Sequence, residues 1–101
     1  MSNEEIAVII DKDLEDLIPG FLQNRTKDLE SLKEALTQES YEKIVSIGHN
    51  LKGLGGGYGF HGMSEIGAEI ESAGKEKNSG LLGEAIARFD QYLSQVVITY
   101  Q

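Results

Sequence analysis

Apolar residues in this chain recur at helical spacings and nowhere sustain strand-like alternation, which restricts the fold to helices packed on helices. Phe21, Leu22, Leu29, Leu32 and Leu36 stand three, four and seven residues apart. Pro19 is placed to open that segment, because a proline at the first helical position loses no hydrogen bond, so a first long helix is predicted from about Ile18 to about Gln38. Glu39-Ser40 breaks the pattern, and Ser40 is a predicted N-cap for a second helix in which Tyr41, Ile44, Gly48, Leu51 and Gly55 share a face. Gly55-Gly56-Gly57 is expected to end or loosen it. A third helix is predicted from near Met63, with Ile66, Gly67 and Ile70 inward, to about Lys77, with Asn78-Ser79-Gly80 as the next turn. Leu82, Ala85, Ile86, Phe89, Leu93 and Val96 mark the last.

Four amphipathic segments joined by short breaks imply an all-α, antiparallel up-and-down four-helix bundle, with a short extra N-terminal helix or arm. The length, 101 residues, allows one core, so residues 1–101 are expected to form a single domain with an N-terminal arm over 1–12. Before the first helix Asp11 to Leu17 reads as a short helical turn, and Ile6 to Ile10 as either a helix start or an extended segment.

Charge then narrows the partners. With 17 acidic against 9 basic side chains, the net charge of -8 repels a phosphate backbone, and few aromatics with no Trp leave no platforms on which bases could stack. Nucleic acid is therefore excluded as a partner, and the acidity suits solubility and attraction to a basic-rimmed protein. The absence of cysteine excludes disulfides and thiol chemistry, and fits a reducing compartment. The longest apolar run, Ile6 to Ile10, is too short to span a membrane, and Glu4-Glu5 stand where a signal peptide would be basic. A soluble, cytoplasmic, free-standing monomer is the expectation.

His49-Asn50-Leu51-Lys52-Gly53 carries the chemistry. On a helix, residues three and four apart are surface neighbours, so an imidazole, a fixed positive charge and a position without a side chain fall on one strip. With Ile44 and Gly48 setting the core direction, His49, Lys52 and Gly53 lie clear of it. A neutral imidazole offers a ring-nitrogen lone pair for attack on phosphorus, and Lys52 can offset charge on the moving phosphoryl oxygens. Glycine in mid-helix costs about 1 kcal/mol relative to alanine, so Gly53 needs a reason, and clearance for a partner's active site is one.

These residues resemble a known family. His49-x-x-Lys52-Gly53, the small-residue stretch behind it, Gly59-Phe60 and the helix Met63-Ser64-Glu65-Ile66-Gly67 running on to Ile70-Glu71 are similar to the histidine phosphotransfer (HPt) domains of two-component phosphorelays. The resemblance covers about Asp13 to Tyr100. It implies a four-helix bundle whose exposed histidine accepts a phosphoryl group from the aspartyl phosphate of a response-regulator receiver domain and relays it to another receiver. By position, His49 is then the phosphorylated residue, Lys52 the assisting charge and Gly53 the clearance site. No cofactor is expected on the chain itself, with Mg²⁺ carried by the partner receiver, and a hybrid sensor histidine kinase is a further partner of this kind. Six glycines between Gly53 and Gly62 depart from the usual pattern, and either fray the second helix or let the third pack very closely.

Other motifs lead nowhere. Gly57-Tyr58-Gly59-Phe60-His61-Gly62 fits a dinucleotide fingerprint but lacks the strand before it. No phosphate-binding G-x-x-x-x-G-K-[ST] loop exists, so the expected protein is a phosphocarrier without kinase activity. His61 beyond the glycine run does not complete a metal set with His49, and Glu30, Glu34 and Glu39 read as a solvated face. The competing function is a non-phosphorylated helical adaptor that docks receiver domains or partner helices through the same strip.

Overall fold

The computed structural model describes residues 4–101, so what was expected of the first three positions lies outside it. Four helices, α1 (Ile18–Thr37), α2 (Tyr41–Tyr58), α3 (His61–Lys75) and α4 (Ser79–Gln95), close a ring of contacts, α1 on α2, α2 on α3, α3 on α4 and α4 on α1. Their facing stripes meet in one core around Leu32, Ile44, Leu51, Phe60, Met63, Ile70, Leu82 and Phe89, all shut off from solvent. This is the bundle that the helical spacing predicts.

Helix boundaries differ from the sequence expectation in instructive ways. The glycine run does not end α2, which continues through Gly55, Gly56 and Gly57 and stops at Gly59, the residue that turns left-handed at φ 93°. Packing on α3 overrides the poor helix propensity of the run. Phe60 N–H then closes back on Gly55 O at 2.7 Å, and α3 starts at once at His61 rather than near Met63. The ends of α1 and α3 close in the same way, Ser40 N–H on Ala35 O and Asn78 N–H on Ala73 O, with Glu39 and Lys77 forced to positive φ where no glycine is available. This closure stops α3 at Lys75, short of the expected Lys77. Ser40 is the residue before α2, yet its side chain makes no capping bond, whereas Asn78 Oδ1 accepts from Leu81 N–H and makes Ser79 and Gly80 helical rather than a turn.

The all-α bundle holds, with one small addition at the two ends of the chain. Ile6–Ile10 (β1) and Val96–Tyr100 (β2) pair as parallel strands, Ile6 opposite Val96 through to Ile10 opposite Tyr100, so Val96 leaves the last helix and the N-terminal segment is extended. Parallel strands require a long crossover, and here the whole bundle serves as one. Val8 and Ile10 turn inward while Ala7 and Ile9 face solvent, and a 3-10 turn over Lys12–Leu17 leads from β1 into α1. At its near end Gly59 packs beside Ile10 Cδ1, where an added Cβ would stand 3.4 Å away. Phe21 stacks on Tyr58 at 4.3 Å and on Phe60 at 5.3 Å, which anchors the end of α2 to the start of α1.

Candidate functional site

The α2–α3 seam places the site. A methyl group built on Gly67 would stand 2.5 Å from the backbone nitrogen of Lys52 and 2.8 Å from Gly48 O, and one on Gly48 would stand 2.7 Å from the backbone nitrogen of Glu71. Neither glycine can be replaced without moving a backbone, so the two helices touch main chain to main chain. That contact sets the distance between His49, the residue after Gly48 on α2, and Glu71, one turn beyond Gly67 on α3.

The His49 side chain is 71% exposed, and its Nδ1 lies 3.1 Å from Glu71 Oε2. An ionised carboxylate only accepts hydrogen bonds, so Nδ1 is the donor and, in the neutral ring, Nε2 keeps its lone pair toward solvent. Glu71 is itself only 15% exposed and also lies 3.6 Å from Lys75 Nζ. Partial desolvation pushes the Glu71 carboxyl up, but the hydrogen bond from His49 and the charges of Lys75, His49 and Lys52 outweigh it and hold the group below its ordinary value. It therefore stays ionised at neutral pH and keeps the ring oriented.

Lys52 and Gly53 lie on the exposed side of α2 with His49. The Lys52 ammonium makes no ion pair among the described residues, and its charge acts on Glu71 only through space. Its carbonyl accepts a hydrogen bond from Ser64 Oγ at 2.8 Å, a second tie between α2 and α3 just below the imidazole. A Cβ at Gly53 would meet nothing within 4 Å, so no internal packing accounts for the glycine. His61 stands at the first residue of α3, exposed, in the wall of a groove beside β1 with Gly59, Gly62 and Tyr92, and takes no part in the His49 cluster.

Glu71 is the residue that sequence reasoning gave no role. Its signal was present: a carboxylate one turn after Gly67 on the same helix, with Lys75 one turn further on. What was missing was the pairing of Gly67 with Gly48, which only the crossing of the helices shows.

The arrangement offers a solvent-facing nucleophilic nitrogen, a mostly buried carboxylate that fixes the ring, a lysine one turn away and cleared space beside them. Comparison with known proteins identifies a family. A family model described as Hpt domain matches residues 16–98, which starts after β1 and stops within β2. No curated protein and no solved structure gives a significant match.

Proposed function

The chain belongs to the Hpt domain family, the phosphotransfer domains of two-component phosphorelays, and on that premise we propose that His49 is its phosphoryl acceptor. Hpt domains are phosphocarriers that work with response-regulator receiver domains, and this reading adds the direction from one receiver through His49 to another. The observation that supports it most is the hydrogen bond from His49 Nδ1 to Glu71, because it leaves the exposed Nε2 as the attacking atom.

In the step proposed, the Nε2 lone pair forms a bond to phosphorus as the bond between phosphorus and the receiver's aspartyl oxygen breaks. The aspartate leaves as a carboxylate. Nδ1 keeps its proton, and the positive charge that develops on the ring is balanced by Glu71. Lys52 faces the phosphoryl oxygens as a point charge, Gly53 gives the receiver room to approach, and the receiver supplies Mg²⁺. Transfer onward is the same step in reverse with a second aspartate.

Incubation with a receiver phosphorylated on its aspartate tests this. Acid-labile, alkali-stable label is expected on the wild type and none on His49→Gln. Equal label on the two proteins overturns the assignment.

A further inference from the structure

A groove of about 530 Å³ runs between α3 and α4, on a different side of the molecule from His49. Ser72 in its wall stands about 100° round α3 from Glu71, so the groove and the imidazole are presented in different directions. Its floor is made of small residues, Ala68, Ala73 and Ala85, and its edge carries Leu81, an apolar side chain left 47% exposed. Three carboxylates stand around it. Glu69 is neutralised by an ion pair with Arg88 that bridges the two helices. Glu76 and Glu84 have no ion pair among the described residues.

We propose that this groove is a second docking face, and that its occupant is a basic amphipathic helix of a partner protein. A trough between two packed helices accepts the side-chain ridge of a third, and a floor of alanines lets that ridge approach closely. Leu81 then gains an apolar neighbour, while Glu76 and Glu84 select an occupant whose flanking residues are Lys or Arg. An acidic helix is rejected by the same two charges, and so is a second copy of a chain with net charge -8. For a phosphocarrier the consequence is that a partner held here leaves His49 free for receivers. That benefit rests on the function proposed above, whereas the binding does not, so the two readings fail separately.

The probe is a fluorescein-labelled helix of leucine and lysine, about four turns long, titrated with the whole chain at physiological salt and followed by anisotropy. Its leucine–glutamate counterpart is the control peptide. Saturable binding of the basic probe alone is expected, weakened about tenfold by Glu76→Lys with Glu84→Lys and by Leu81→Ser. Glu15→Lys with Glu34→Lys changes net charge equally at a distance and is expected to leave affinity within about twofold. Thermal melts check that each variant is folded. The proposal is overturned if the distant pair weakens binding as much as the groove pair, if the acidic helix binds equally well, or if only Gly53→Glu abolishes binding. A concentration-dependent dimer that Leu81→Ser dissociates would also overturn it, by giving the groove to a second copy.

Discussion

The two faces of α2 use glycine for opposite reasons. On the face turned to α3, Gly48 is buried and any side chain would strike the backbone of Glu71. On the face turned to solvent, Gly53 is surrounded by open space. The first is required by the fold, and the second costs helix stability without any packing return inside the chain. Residues that weaken a structure with no internal compensation are expected where another molecule must come close. The contrast thus separates what builds the site from what leaves it reachable.

Alanine substitution gives the sharpest test of that contrast. Gly67→Ala places a methyl 2.5 Å from the Lys52 backbone and is expected to destabilise the domain by about 1–3 kcal/mol, lowering the melting temperature about 4–8 °C for each kcal/mol. Phosphotransfer is expected to fall with it, since the seam sets the separation of His49 and Glu71. A melt unchanged from wild type would mean that the helices can part at no cost. The same substitution at Gly53 is expected to act with opposite sign, raising stability by about 1 kcal/mol, because alanine is the better helix former and nothing blocks it. Gly53→Glu is expected to keep the fold and slow transfer, and a wild-type transfer rate would remove Gly53 from the docking surface.

Glu71→Gln probes the link between the two faces. The amide oxygen still accepts from Nδ1, so the ring is held, but the charge that balances the phosphorylated imidazole is lost and slower transfer is expected. Stability follows a definite sign. The folded carboxyl lies below its ordinary value of 4.5, so its contribution is present above that pH and disappears as pH falls through the lowered folded value. Melting temperatures of wild type and variant are therefore expected to differ at neutral pH and converge in acid. A difference that grows on acidification would contradict the ionised Glu71. The smallest effect is expected for Gly57→Ala, open like Gly53 but in the last turn of α2, where a few tenths of a kcal/mol of stabilisation is the scale.

The readable and unreadable parts of this fold divide by the range of the interactions involved. Phe21, Leu29 and Leu32 mark the buried stripe of α1 by their spacing, and His49 lies off the core direction simply because Ile44, Gly48 and Leu51 define it. The glycine run was ambiguous, since propensity opposed a helix that contact with α3 sustains through to Tyr58. Val96 to Tyr100 is a β-branched and aromatic stretch that could have ended the last helix, but its partner strand lies some ninety residues earlier, and nothing local names it.

By itself the sequence determined the number of helices, the faces they bury and the exposure of the His49 strip, because each of these depends on the order of side chains along one helix. Tertiary structure alone decided that Glu71 meets His49, that Gly48 and Gly67 are the contact which brings them together, and that the two ends of the chain pair as strands. Those facts depend on the separation of two backbones in space. A periodicity along the chain shows which side of a helix is buried, and it carries no measure of how closely the neighbouring helix approaches.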